Sequence, residues 1–197
     1  MNTKLLLTMG TVSALTFWVG SIVAGFIHGN YSPVSGTISE LGAIWAKSHV
    51  FMTVVMYLSG ITGILFVIGA VMACRQTGIN IIPVITAVSI PFTTLWAAIF
   101  PLGTAQHAIT GPVIFVMYVG VILSLFVWRG ARFKTLRIWS GISLVLLLGI
   151  FLRFTPFLPN HEGLIQRFAH LGWSVWFIAI NIQLLKLINL KSFSPNH

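Results

Sequence analysis

Aspartate is absent from this chain of 197 residues, glutamate occurs twice and cysteine once. With a single thiol, Cys74, neither an intramolecular disulfide nor a cysteine-based zinc cluster can form. No HExxH run and no pair of histidines four residues apart occurs, which removes the common helical zinc signatures. Charge is scarce: 7% of residues are charged against 57% apolar, and mean hydropathy is +0.98. Polar chemistry is therefore confined to a small minority of side chains.

What is present in quantity is long apolar runs with short polar breaks, the composition of a polytopic α-helical membrane protein. Crossing the hydrocarbon core takes about 20 apolar residues. Six such segments are legible, at 5–27, 49–74, 80–100, 107–128, 136–154 and 166–190. They predict an all-α bundle of six transmembrane helices forming one domain over 1–197. The first run is too long for the apolar stretch of a secretory signal and lacks a small-x-small cleavage site, so it reads as a span. The formal charge of +9 does not indicate nucleic-acid binding, because the basic residues sit in connectors between spans.

Lys4, Arg75, Arg129, Arg132, Lys134, Arg137, Lys186 and Lys191 fall on one side, and Lys47, Arg153 and Arg167 on the other. By the positive-inside rule both termini are expected in the cytoplasm. Trp45, Trp96 and Trp173 would then sit at the outer interface, and Trp128 and Trp139 at the inner one. Pro83 and Pro91 are expected to kink or break the third span. Cys74, beside Arg75, reads as a packed or lipid-facing thiol, and 192–197 as a mobile tail.

Both glutamates, Glu40 and Glu162, and five of the six histidines fall on the outer side. Thr37-Ile38-Ser39-Glu40 fits a capping box, predicting a short interfacial helix over 40–46. Asn160 reads as the cap of the last helix, with Glu162 in its first turn and His161 in the solvated loop. Arg153 and Arg167 lie on the side that avoids arginine; snorkelling to head groups is the plain reading, and facing the bundle interior is the functional one. Gln166, Arg167 and His170 are spaced to share one helix face. Thr104 would cap the fourth span near His107, while His49 and His28 stand at the ends of the second and first.

These residues admit three chemistries. Two or three of His49, His107 and His170 with Glu40 would make a zinc site able to activate water. Imidazoles on facing helices would ligate haem, although these stand at helix ends. Two arginines with polar neighbours would bind the anionic head of a lipid, a quinol or an undecaprenyl-type carrier, which needs the fewest geometric assumptions.

Ser39-Glu40-Leu41, Phe100-Pro101, His107 and the run Gly163-Leu164-Ile165-Gln166-Arg167 together resemble the bacterial and archaeal membrane-protein family catalogued as domain of unknown function 998. Its members show Ile-Ser-x-Leu-Gly after the first span, Phe-Pro at the end of the third, a histidine soon after, and Gln/Glu-Arg at the head of the last. The resemblance implies that Ser39, Glu40, His107 and Arg167 belong to one shared feature in a prokaryotic cell membrane, and it implies no activity. The connector from Phe100 to His107 has no acidic residue, which counts against an acidic metal site there. Intramembrane zinc hydrolases of the ceramidase and adiponectin-receptor type also use scattered Ser and His, but they require an aspartate and seven spans.

The expectation is thus a multi-pass membrane protein with an extracytoplasmic polar pocket of Ser39, Glu40, His107, Arg153, Gln166, Arg167 and His170, binding a small or lipidic ligand with an anionic head group. Glu40 is expected to pair with Arg153 or Arg167, since an unpaired arginine in a low-dielectric bundle is costly. The alternatives are a metal-assisted hydrolase or transferase acting on lipid at the outer surface, and a structural partner subunit. Coupled transport is disfavoured, because no charge falls at mid-span. Expected partners are membrane lipid and the ligand, not nucleic acid; the sequence sets no oligomeric state.

Overall fold

The computed structural model describes residues 2–156 and 158–193. Of the tail expected to be mobile, 192 and 193 end the final helix, and 194–197 lie outside the described residues. Six helices are long and apolar enough to cross a membrane, and there is no strand among the described residues. They are α1 (Thr3–His28), α3 (His49–Thr77), α4 (Ile82–Ile99), α5 (Ala105–Val127), α6 (Ala131–Phe154) and α7 (Glu162–Phe193). A short helix α2 (Ile38–Leu41) stands between α1 and α3.

The largest boundary difference from the expected spans is at the start of α6, where a 3₁₀ turn over Ala131–Phe133 precedes the α-helix. The proline prediction holds in α4: a 3₁₀ segment, Thr86–Val88, separates two α-helical pieces. Proline removes backbone donors, and local hydroxyls take up carbonyls in the interrupted stretch. Thr86 Oγ1 donates to Pro83 O at 2.9 Å, and Ser89 Oγ to Thr86 O at 2.9 Å.

The helices form a closed ring in the order α1, α3, α4, α5, α6, α7, with α3 also touching α7. α1 and α3 pack most extensively, because lipid supplies no hydrophobic drive between helices and close backbone approach replaces it. Gly10 abuts Phe66, Gly20 abuts Val55, and Gly69 lies against the backbone of Leu6. Ser13 and Ser59 lock the pair reciprocally: Ser13 Oγ donates to Ser59 O at 2.8 Å and Ser59 Oγ to Ser13 O at 3.0 Å. α7 is the most buried span, contributing Trp173, Trp176 and Phe177 to the core.

The termini share one end of the bundle. Gln76 Nε2 donates to Thr3 Oγ1 at 3.0 Å, and Lys191 Nζ to Gln76 O at 2.5 Å. The opposite end carries α2 and the connectors following α4 and α6. Cys74 is buried. Two of the tryptophans expected in interfacial belts are core residues instead. Trp173 is 1% exposed, and Trp128, 2% exposed, donates Nε1 to Asn80 O at 2.9 Å. Their indole N–H groups find partners inside the protein, so the rings need no head-group water; Trp45 and Trp139 remain exposed.

The close approach of α1 and α3 predicts an asymmetry among glycine substitutions. A Cβ at Gly69 would lie 2.9 Å from Leu6 C and Leu7 N, backbone atoms that cannot swing away, whereas no atom of the described residues lies within 4 Å of one at Gly141. Gly69→Ala should destabilise the detergent-solubilised protein by about 1–3 kcal/mol, and Gly141→Ala should not. Thermal unfolding of the two variants checks this, and equal melting temperatures would contradict the packing described.

Candidate functional site

The segment between α1 and α2 has little regular structure of its own, and Arg167 on α7 organises it. Arg167 Nη1 donates to Pro33 O at 2.6 Å, Gly36 O at 2.9 Å and Gly163 O at 3.0 Å; Nη2 donates to the Tyr31 hydroxyl at 2.7 Å. Tyr31 in turn donates to the carbonyls of Gly36 and Thr37, at 2.8 and 2.9 Å. Burial raises the Tyr31 pKa, an effect partly offset by Arg167 and reinforced by Glu40. The phenol therefore remains a proton donor at neutral pH.

The first turn of α7 supports the same loop. Free backbone N–H groups at a helix start must find acceptors. Gly163 N donates to Ser35 O at 3.2 Å and Leu164 N to Val34 O at 2.9 Å. Such contact requires glycine at 163, since a Cβ there would run into the Gly36 carbonyl. Asn160 does not cap this helix as expected. It takes a left-handed conformation (φ 60°) in the preceding turn, a role asparagine tolerates, and the helix begins at Glu162.

Held from below in this way, α2 starts as the capping motif predicts but stops early. Thr37 Oγ1 accepts from Glu40 N at 3.3 Å and donates to Glu40 Oε1 at 3.2 Å. The expected helix over 40–46 is instead the single turn Ile38–Leu41. Side chains from the start of α3 take the carbonyls that a longer helix would use: Ser48 Oγ donates to Leu41 O at 2.7 Å, and His49 Nδ1 to Gly42 O at 2.8 Å.

Gln166 ties α2 to α7. Its Oε1 accepts from Ile38 N at 2.6 Å, and its Nε2 donates to Ser39 Oγ at 3.2 Å. His107, from the 3₁₀ turn opening α5, stands on the other side of Ser39 with Nε2 3.4 Å from Oγ. Its Nδ1 lies 2.9 Å from Phe100 O. A carbonyl only accepts, so Nδ1 bears the proton, and in the neutral ring Nε2 is an acceptor for the Ser39 hydroxyl. Thr104 precedes this turn without capping it, its hydroxyl donating to Pro101 O at 2.8 Å instead.

Ser39, His107 and Gln166 form part of the wall of a partly open cavity of about 650 Å³, lined mainly by α2, α4, α5, α6 and α7. Most of the wall is apolar, with Met56, Ile114, Phe115, Ile150 and Ile165 among its residues. His170 adds a polar group, its ring 4.6 Å from that of Phe17. Trp173 Nε1 donates to His170 Nδ1 at 3.0 Å; an indole only donates, so the imidazole carries its proton on Nε2. Arg153 and Glu162 complete the wall and pair with each other at 3.3 Å, with side chains 47% and 55% exposed. An ion pair so exposed contributes about 0–1 kcal/mol.

Of the seven residues expected to line a pocket, Ser39, His107, Arg153, Gln166 and His170 meet around this cavity, while Glu40 and Arg167 are not in its wall. The expected ion pair of Glu40 with Arg153 or Arg167 does not form; Arg153–Glu162 is the sole ion pair among the described residues. Four neutral oxygens satisfy Arg167, which removes the need for a carboxylate. Gln166 and His170 do share a face, but Arg167, a further 100° around the helix, turns to the loop. No group of three His, Cys, Asp or Glu side chains able to hold a metal comes together among the described residues, and His49 serves α2. Sequence reasoning missed Tyr31 and Trp173 as partners. Trp173 had a visible signal in its three-residue spacing from His170; Tyr31 had none.

The chain matches, over residues 11–182, the family described as "Protein of unknown function (DUF998)". No curated protein and no solved structure matches it.

Arg167→Lys keeps the charge but loses the planar fork that reaches several acceptors at once. It should cost about 2–3 kcal/mol and speed hydrogen exchange of the amides at 34–38. An unchanged exchange pattern would show that the loop does not depend on the guanidinium.

Proposed function

The chain belongs to the DUF998 family, whose description carries no activity, and we propose that this multi-pass membrane protein binds one amphiphilic molecule in the cavity beneath α2. The apolar part of the ligand lies against residues such as Ile114, Phe115 and Ile150, and its polar group meets Ser39, His107, Gln166 and His170. The observation that carries this reading is the cavity itself. At about 650 Å³ it falls in the range of small-molecule sites, and its few polar groups converge in an otherwise apolar wall. It also favours a ligand binder over a purely structural subunit, whose helices have no reason to leave such a space.

The polar groups suggest which head the ligand carries. Arg167 is engaged by carbonyls away from the wall, and Arg153 stands beside the Glu162 carboxylate, so these two groups give the wall no net positive charge to draw an anion. It offers hydrogen-bond donors instead, the Nε2–H of His170 and the amide of Gln166. A neutral head group rich in acceptors fits this wall better than the anionic one expected from sequence.

Eight of the eleven Lys and Arg residues lie at the end that carries the termini. The positive-inside rule makes that end cytoplasmic and sets the cavity toward the extracytoplasmic leaflet of a cell membrane. An Asn160→Cys variant should react with a membrane-impermeant maleimide in intact cells, and an Arg132→Cys variant only after permeabilisation. The reverse pattern would invert the assignment.

Binding is tested with a fluorescent single-chain fatty alcohol and the purified protein in detergent. Ala97, on α4, faces the cavity. Ala97→Phe should weaken probe binding by tenfold or more, about 1.4 kcal/mol, without lowering thermal stability. Equal affinity in the two proteins would place the probe elsewhere and remove the support for the cavity as its site.

A further inference from the structure

We infer that Ser39 and His107 are a nucleophile and its general base, acting on a carboxylic ester with a long acyl chain. This rests on the ligand-binding reading, since the acyl chain would occupy the same cavity. Three observations point to the pair. Ser39 and His107 both line one cavity, with Oγ and Nε2 3.4 Å apart. The Phe100 carbonyl orients the imidazole from its far side at 2.9 Å, fixing the tautomer that leaves Nε2 free to take a proton. Gln166 fills the acceptor side of Ser39, which directs the serine proton toward His107.

This is the arrangement that nucleophilic catalysis requires: a hydroxyl, a base beside it, and a third group holding the base. Here a backbone carbonyl takes the place of the carboxylate that usually orients the ring, in a chain without aspartate. A spacing of 3.4 Å is longer than an engaged pair, and catalytic pairs close from such spacings when substrate binds. The Gln166 amide is fixed through its oxygen by Ile38 N, and its nitrogen has a second N–H beyond the one given to Ser39. That N–H is the donor offered to the carbonyl oxygen as negative charge develops on it.

The steps balance with water as the only co-reactant. Ser39 Oγ bonds to the ester carbonyl carbon as its proton passes to His107 Nε2. The tetrahedral intermediate collapses, the bond from carbon to the leaving oxygen breaks, and His107 returns the proton to the departing alcohol. Water then attacks the acyl-serine with His107 as base, releasing the fatty acid and restoring the hydroxyl. Nothing is oxidised or reduced. The rim at Arg153 and Glu162 is exposed, which gives water a route to the cavity.

The test uses the full chain in detergent and a long-chain alkyl fluorophosphonate, read by intact-protein mass and peptide mapping. The expected result is one adduct per chain at Ser39, absent in Ser39→Ala. Labelling should slow about a hundredfold in His107→Gln. Gln166→Glu, which keeps the acceptor for Ile38 N but loses the donors, should label at least about tenfold more slowly with little change in melting temperature. A second series avoids dependence on a folding-impaired alanine variant. Ser39→Cys should be alkylated by a short maleimide about tenfold faster or more with His107 present than with His107→Gln added; Cys74 is buried and serves as the internal background. Absence of the Ser39 adduct with retained binding of the fluorescent fatty alcohol would overturn the nucleophile and leave the ligand site standing. Absence of both would overturn the two together, and equal alkylation of the two cysteine variants would remove His107 as the base.

Discussion

A single guanidinium sets the geometry at the end of the bundle opposite the termini. Arg167 gathers the carbonyls of Pro33, Gly36 and Gly163 and the hydroxyl of Tyr31 around one planar fork. The segment it holds has almost no internal backbone pairing to fix its shape, so its path over the helices is set by what captures its carbonyls. The N–H groups of α7 at Gly163 and Leu164 add to the same capture. With the loop pinned, α2 is delivered onto Gln166, and Ser39 comes to rest between Gln166 and His107.

The bundle divides into a tightly packed side and an open one, for reasons that begin in side-chain size. Where α1 meets α3, glycine permits near-backbone contact and paired serines bond across the gap. On the other side α5 and α6 are the least buried spans, and the space they leave beneath α2 is the cavity. The polar minority is accordingly split between two tasks. Hydroxyls on the helices satisfy carbonyls inside the bundle, as Ser143 does for Gly172 and Tyr118 for Leu147. The rim residues line the cavity at its end.

Glu40 stays within its own turn, whereas Gln166 reaches across the bundle. An arginine in a membrane protein predicts a carboxylate partner, and Glu40 was the nearest candidate in kind. Backbone carbonyls perform that task for Arg167, and Glu40 closes its own capping motif with Thr37. Gln166 needed no partner by charge, yet it bridges α7 to both Ile38 and Ser39, more than 120 positions away in the chain. Carbonyl acceptors are present at every residue, so composition carries no trace of which ones a side chain will select. The tryptophans repeat the lesson: Trp173 and Trp45 are equally amphipathic as residues, and only packing makes one core and the other surface.

Six apolar spans, their approximate ends, the prolines that interrupt α4 and the crowding of basic residues at one end were all set by local sequence, and so was membership in a family without a stated activity. They are sums over neighbouring residues, because transfer into a bilayer depends on the hydropathy of a continuous stretch and on little else. Only the folded chain decided which rim residues face one another. The rotation of each helix about its axis and the capture of one loop by Arg167 turned Ser39, His107, Gln166 and His170 toward a shared cavity and turned Arg167 and Glu40 away from it. A contact across the bundle is fixed by packing against distant elements, and no local pattern encodes the angle at which two helices meet.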